Sequence, residues 1–360
     1  MPILPCRRPL WRQHGISEVG LCILQTEWAE ASIAISSSVD PWYNLAVEEM
    51  LLHGTRQMGT ILYLWQNQNT VVIGRNQNAW KECRWELLHQ EGGKLARRLS
   101  GGGAVYHDLG NLNFTFITSR REYDLDKQLQ VILMAVAELG IPAEFSGRND
   151  LLAAGRKFSG NAFYKDGNRA YHHGTILVAA DFAQMGRYLQ VSKEKMATKG
   201  IDSVQSRVVN LAELNPHVNV DLVRDVLIKS FRRIYAPQGG EVILDGSIEV
   251  GTGQLPKLYR KHASWEWRFG RTPDFDLTLE HRFPWGGVEL ALKLGGGRIQ
   301  EVQVFSDAME PELMLALSPA LQGCIFEKGA LLEALGGIGA TFLEQEIMGD
   351  IREWLGSIRI

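Results

Sequence analysis

The chain has 360 residues, 45% of them hydrophobic, and a formal net charge of -3. That length supports one large core plus a smaller satellite and excludes a disordered chain, and the slight acidity leaves no basic field to hold a nucleic acid backbone by counterion release. No apolar run reaches the roughly 18 residues of a membrane span, and the four cysteines, Cys6, Cys22, Cys83 and Cys324, are scattered without a C-x-x-C, as expected of a reducing compartment such as the cytoplasm.

Residues 1–30 carry Arg7, Arg8 and Arg12 but also Glu18, Glu27 and Glu30, and lack the apolar stretch and small-residue cleavage site of a signal peptide. They read as an extension of open status: an extra segment, an early start or an organelle-targeting sequence. In WYNLAVEEMLLHGTRQ the apolar residues recur at helical spacing, with Asp40 placed to cap and Pro41 in the first turn. ILYLWQ and TVVIG follow as strands with a turn at NQNT, then a helix over Lys81–Glu91 ended by Gly92-Gly93, then a strand in KLARRL. AVYHDLGNLNFTFI reads as a hairpin turning at Asp108–Asn111. LDKQLQVILMAVAELG is helical, AEFS a strand, GRNDLLAAGRKFSGNAFYKDGN a polar loop tract, and AYHHGTILVAA a strand. Residues 182–214 and 221–236 are mainly helical, and the Pro/Gly-containing passage 237–256 is the expected linker. Beyond it lie a strand at SWEWRFG, a hairpin in GGVELALKLGGGRIQEVQVF, a helix ELMLALSPAL broken at Pro319, and helices in ALLEALG and FLEQEIMGDIREWLG.

Two triple glycines permit an internal comparison. Gly295–Gly297 separates two alternating strands and reads as a hairpin turn. Gly101–Gly103 differs, because Arg97, Arg98 and Ser100 precede it and a strand with Tyr106 and His107 follows. Bare backbone lets a ligand approach the chain and lets successive N–H groups face one anion, while a guanidinium adds a planar fork for phosphate. The segment is neither G-x-x-x-x-G-K-[ST] nor G-x-G-x-x-G, since Tyr106 stands at the last glycine position. Spacing alone therefore leaves a phosphate cradle and a plain turn equally open.

A second cluster favours the cradle. Lys157 sits between Arg156 and Phe158-Ser-Gly in the polar tract, and His172-His173-Gly-Thr follows on the next strand. This reads as a loop folding over a ligand, with a lysine able to meet both a carboxylate and a phosphate. His172 and His173 point to opposite faces of a strand and cannot share one metal, so no zinc site is expected and no metal ligand is assigned. Of Glu48 and Glu49, one is expected to face solvent and the other to pair locally. No Ser/His/Asp set can be assembled from the sequence, and Cys83 reads as a half-buried small residue rather than a nucleophile.

Together DPWYNLAVEE, LYLWQNQNTVVIGRNQNAWKEC, LARRLSGGGAVYHDLGNLNFTF, GRNDL, RKFSG, HHGTIL and KGIDSVQSRVVNL resemble the lipoate–protein ligase A family from about Ser36 to Leu214. SWEWRFG and WGGVEL resemble the C-terminal domain of its bacterial members. The resemblance implies an α+β fold: a biotin/lipoate ligase-like mixed sheet with flanking helices, plus a small C-terminal α+β accessory domain. It divides the chain into the extension 1–30, a catalytic domain 31–244 and an accessory domain 245–360. It also implies activation of free lipoate by ATP and Mg2+ to lipoyl-AMP and pyrophosphate. Transfer to a lysine follows, on apo lipoyl domains of 2-oxoacid dehydrogenase complexes or on glycine cleavage H protein, with no nucleic acid or membrane partner. By position, Arg98, Gly103, Ala104, Val105 and Tyr106 correspond to nucleotide contacts, and Lys157 to the lysine touching lipoate and the adenylate. Asn149, Asp150 and His173 are secondary candidates near the intermediate. Trp65, Val72, Val105 and Phe163 are offered for the apolar slot that lipoate needs, with ordinary core packing as the equal alternative.

Three rival readings remain: a lipoyltransferase that uses preformed lipoyl-AMP, an octanoyl transferase of the same superfamily that draws acyl groups from acyl carrier protein, one branch of which works through a cysteine thioester, and a catalytically silent lipoyl-binding protein. No cysteine stands near the glycines or Lys157, and the joint presence of Arg98, the glycines and Lys157 speaks against the silent protein.

Overall fold

The computed structural model describes residues 31–54, 59–146, 149–190, 208–236, 241–245, 253–269, 277–295 and 297–358. The extension 1–30, Gly147 and Arg148 of GRNDL, residues 199–207 of KGIDSVQSRVVNL and parts of the expected linker lie outside the described residues.

In chain order the strands are β1 Ala31–Ile35, β2 Thr60–Trp65, β3 Thr70–Ile73, β4 Lys94–Arg97, β5 Val105–His107, β6 Asn111–Ser119 and β7 Ala143–Ser146. They continue as β8 Asp150–Ala153, β9 Arg156–Asp166, β10 Arg169–Leu177, β11 Glu241–Asp245, β12 Leu277–Phe283, β13 Gly286–Gly295 and β14 Arg298–Ser306. Eight form a mixed sheet in the order β11-β1-β2-β6-β10-β9-β8-β7, and β4-β3-β5 form a small second sheet.

Period-two alternation assigns each strand of the large sheet two faces. Leu62 and Leu64 of β2 and Leu112, Phe114 and Phe116 of β6 enter one core, closed by the helices Leu125–Glu138 and Val220–Tyr235. Asp124 and Asn219 cap those helices by accepting from Lys127 N at 3.0 Å and Leu222 N at 2.9 Å. The opposite parity, Ile61, Tyr63, Trp65 and Ile117, packs under the helix Pro41–Gly54 together with Val72 and Ala96 of the small sheet. Fully buried side chains such as Phe114 and Leu62 contribute about 2 kcal/mol each. Residues on this second face define the cavity described below.

The strands β12-β13-β14 form a third sheet. It builds a separate core with the helices Pro311–Leu321, Lys328–Ala334 and Phe342–Ser357, the last opened by a capping box of Thr341 and Glu344. The architecture is thus a large mixed α/β body with flanking helices and a small C-terminal α+β domain.

Several local expectations change. β2 and β3, and likewise β5 and β6, are consecutive strands that enter different sheets instead of pairing as hairpins. Long-range bonds hold the turns at both crossings: Asn44 Nδ2 donates to Gln66 O at 2.8 Å, and Asp108 Oδ2 accepts from the distant Asp181 N at 2.7 Å. The helix expected over Lys81–Glu91 divides into Ala79–Glu82 and Trp85–Gln90, because Cys83 forms a bridge with Leu189 and Arg84 N donates to Tyr188 O at 2.9 Å. SWEWRFG is a helix, Trp265–Phe269, not a strand: Ser264 Oγ accepts from Trp267 N at 3.1 Å and starts it. The expected linker contains β11, paired parallel to β1, and leads into the helix Leu255–Ala263 on the back of Pro41–Gly54. Pro319 lies in the last turn of Pro311–Leu321 and does not break it. The polar tract is a hairpin, β8–β9, whose two turn residues Ala154 and Gly155 have φ of 49° and 70°, the pattern of a tight primed turn.

Candidate active site

A cavity of about 160 Å3 lies between the two sheets. A cross-strand row on β2, β6 and β10 makes one wall, Trp65 pairing with Asn113 and Asn113 with Thr175; His173, from the neighbouring row in which Tyr63 pairs with Thr115 and Thr115 with His173, also lines it. Val72 of β3 and Val105 and His107 of β5 face them, with Leu45 from the helix Pro41–Gly54. The cavity is apolar near Leu45, Trp65, Val72 and Val105, and polar near Gly102, Gly103, Asn149, Lys157 and Asn161.

The three glycines stand in three different settings. A Cβ on Gly101 would lie 2.2 Å from Ala308 O of the C-terminal domain, and Gly102 has a φ of +88° that side chains rarely adopt. A Cβ on Gly103 would meet nothing within 4 Å, so this residue borders open space. Gly102 N donates to Ala308 O at 3.1 Å, so the loop is held partly by the second domain.

Both arginines before the loop are buried and turned to main-chain carbonyls. Arg97 donates to Gly74 O, Arg75 O, Gln77 O, Trp267 O and Arg268 O. Arg98 donates from Nε to Ser100 Oγ and Gly101 O, from Nη1 to Val72 O at 3.2 Å, and from Nη2 to Gly101 O at 2.8 Å and Gly103 O at 2.7 Å. Of the five N–H groups on a guanidinium, one on Nη1 remains for a ligand. Burial pulls the pKa of Arg98 down to about 10, which leaves it charged at neutral pH. Arg98 thus shapes the loop from beneath while lining the cavity.

Lys157 stands on β9, not in a loop. Gly160 gives it room: a Cβ there would come within 2.9 Å of Lys157 Nζ. Nζ lies 2.7 Å from Asp150 Oδ1, and Asn161 on the same strand donates to Asn149 O at 3.0 Å. The arrangement sets an ammonium, an open glycine main chain and two amide side chains around the polar end.

The model of the lipoyl protein ligase A/B catalytic domain matches residues 40–232, and that of the bacterial lipoate protein ligase C-terminus matches residues 272–355. The chain belongs to the lipoyl protein ligase A/B family. Among solved structures it is similar to P. falciparum LipL1 in complex with lipoate, at 27% identity and a TM-score of 0.80, over 91% of this chain and 100% of that one. It is also similar to a bipartite lipoate protein ligase of Thermoplasma acidophilum, from an archaeal lipoylation system that includes its E2 lipoyl domain, at 26% identity and a TM-score of 0.59, over 69% of this chain and 100% of that one. A lipoate-protein ligase A bound with ATP matches at 25% identity and a TM-score of 0.57, over 67% of this chain and 98% of that one.

In this member of the lipoyl protein ligase family, the cavity gathers Arg98, Gly103, Ala104, Val105 and Lys157, along with Trp65, Val72, Asn149 and His173. Tyr106 does not line it. As the middle residue of β5 it turns to the other side, packs against Tyr188 and donates to Asn69 Oδ1 at 3.2 Å. Phe163 also falls outside, its ring tilted against His172 at 5.1 Å on the far face of the large sheet. Asp150 reaches the site through Lys157. Cys83 is buried against the outer face of the small sheet, where burial pushes its thiol up to about 12.

The sequence concealed a buried Ser–His–Glu chain. His173 Nδ1 meets Glu48 Oε1 at 2.8 Å, and His173 Nε2 meets Ser100 Oγ at 2.7 Å. Glu48 also accepts from Thr115 Oγ1 at 2.7 Å, which accepts from Trp65 Nε1 at 3.1 Å. Ser100 is 0% exposed and does not line the cavity, so the chain holds His173 and the loop instead of presenting a nucleophile. Glu49 is likewise buried, gripped by Lys261 Nζ at 2.8 Å and His262 Nε2 at 2.8 Å, so neither glutamate faces solvent. His107 and Asn113 also line the cavity without having been singled out. Strand parity was the available signal for His107, which lies two residues from Val105 on β5; Asn113 had none.

Proposed function

We propose that the protein activates free lipoate with MgATP to lipoyl-AMP and then passes the lipoyl group to a lysine of lipoyl domains of 2-oxoacid dehydrogenase complexes or of glycine cleavage H protein. The observation that carries this reading is one cavity with an apolar slot at one end and Lys157, Gly103 and two amides at the other. An acid with an apolar chain fits such a space with its carboxylate at the polar end. The lipoate and the ATP bound by two of the similar proteins, and the E2 lipoyl domain that belongs to the lipoylation system of the third, support the same assignment.

In the first step a carboxylate oxygen attacks the α-phosphorus, a P–O bond to the β-phosphate breaks, and pyrophosphate leaves. Two anions must meet, so fixed positive charge and main-chain N–H groups lower the barrier. Lys157 is proposed to contact the carboxylate and the α-phosphate, the main chain at Gly103–Val105 to border the nucleotide, and Arg98 to keep that main chain in place. Magnesium enters as part of the MgATP substrate. In the second step the acceptor amine attacks the acyl carbon, AMP departs, and Lys157 steadies the carbonyl oxygen.

A lipoyltransferase that needs supplied lipoyl-AMP would use the same slot. Incubating the protein with lipoate, MgATP and an apo lipoyl domain, and weighing the domain, tests both half-reactions. The lipoyl mass increment is expected only with ATP. Modification from supplied lipoyl-AMP, without lipoate-dependent ATP–pyrophosphate exchange, would refute the activation step.

A further inference from the structure

Two polar side chains in the apolar part of the cavity have atoms with no partner among the described residues. Asn44 Nδ2 donates to Asn67 Oδ1 at 3.0 Å, which turns Asn67 Nδ2 toward His107 Nδ1 at 3.1 Å. His107 Nδ1 must accept, so the ring proton sits on Nε2. Burial, with Arg98 and His173 nearby, lowers the His107 pKa to about 3, so the ring is neutral in solution. His107 Nε2 is buried and unpartnered among the described residues. Asn113 accepts from Asn111 Nδ2 at 3.0 Å, and its own Nδ2 is also buried and unpartnered. Asn113 lies between Trp65 and Thr175 in one cross-strand row, and His107 meets Trp65 edge-on across the cavity at 6.1 Å. Both residues line the space that the acyl group is proposed to fill.

Buried donors are nearly always paired, and one left dry costs stability or affinity. We propose that His107 and Asn113 are specificity-determining residues, which make this slot select an acyl chain ending in a sulfur-containing ring over a plain saturated chain of equal length. The inference rests on the proposed lipoate site. Divalent sulfur is a weak but real acceptor, so a dithiolane gives each N–H a partner. Octanoate offers only C–H groups there and leaves both buried donors unpaired. A slot lined only by Leu45, Trp65, Val72 and Val105 would separate the two acids by size alone, which is a weak discriminator.

Equilibrium binding of lipoate and octanoate is measured by calorimetry, and kcat/KM for each by ATP–pyrophosphate exchange, on the wild type, Asn113→Leu and His107→Phe. Wild type is expected to favour lipoate in binding, and each variant to narrow the ratio about tenfold, mainly through better use of octanoate. His107→Phe keeps a ring beside Trp65 and carries the test if Asn113→Leu does not fold. Equal wild-type affinity for the two acids, or an unchanged ratio in a folded variant, overturns the inference. Selective binding of lipoate without any exchange overturns the activation step instead, and supports the selectivity.

Discussion

Replacing Lys157 by alanine separates chemistry from stability. The ammonium lies 2.7 Å from Asp150 Oδ1, with the two side chains 34% and 38% exposed. A pair so open to water is worth under about 1 kcal/mol, which in a chain of this size moves the melting temperature by about 2 °C or less. The strand does not depend on the side chain, because Val209 N donates to Lys157 O at 2.9 Å and β8 pairs with β9 through the main chain. The expected loss appears at the transition state, where removing one fixed donor from a developing anion costs about 3 kcal/mol, or roughly 100- to 1,000-fold in rate. Lipoate-dependent ATP–pyrophosphate exchange at saturating substrates, beside a thermal melt of the same sample, reads the two quantities independently. Exchange within threefold of wild type would refute the role given to Lys157. A melting temperature lowered by ten degrees would refute the claim that it is structurally dispensable.

Other perturbations give equally distinct outcomes. Gly101→Ala places a Cβ against Ala308 O and should destabilise by about 1–3 kcal/mol, whereas Gly103→Ala, which meets no protein atom, should leave the melt unchanged and weaken ATP binding; equal melts for the two variants would contradict the loop geometry. Burial opposes ionisation of Glu49, but bonds from His262 and Lys261 outweigh it and bring the pKa from 4.5 to about 2. A depressed carboxyl stabilises the fold above its unfolded pKa and releases that stability as pH falls, so a few kcal/mol should disappear between about pH 4.5 and 2. Glu49→Gln should flatten that part of a stability–pH curve, and an unaltered curve would exclude the pair as its source. Cys83, with its thiol raised to about 12, should resist iodoacetamide in the native protein at pH 8, as located by peptide mass spectrometry, and react after denaturation.

Legibility from sequence followed the range of the forces involved. The helix Pro41–Gly54 and the strands β2, β6 and β10 were readable because capping and alternation are local. Sheet membership was not: the polar turns at 67–70 and 108–111 look like hairpin turns, and bonds from residues distant in sequence, such as Asn44 and Asp181, accompany the departure of the next strand to another sheet. SWEWRFG alternates like a strand but becomes helical once Ser264 caps it and Trp267 Nε1 donates to Arg97 O at 2.9 Å. For the site, Gly103 and Lys157 were visible as motif residues. The arginine pair looked like a phosphate fork because a sequence cannot reveal that carbonyls of Gly74, Val72 and the loop itself take up most of its donors. The Ser100–His173–Glu48 chain spans strands and a helix and has no local signature at all.

The division of consecutive strands between two sheets also bears on how the protein holds itself together. Each sheet is closed by its own ladders, and the cavity marks where the two meet side chain to side chain without main-chain pairing. Along that seam an acyl chain would complete a hydrophobic interior that the polypeptide leaves unfinished. A bound acid should therefore act as a piece of core, raising the unfolding free energy by its own mass-action term, RT ln(1 + [L]/Kd).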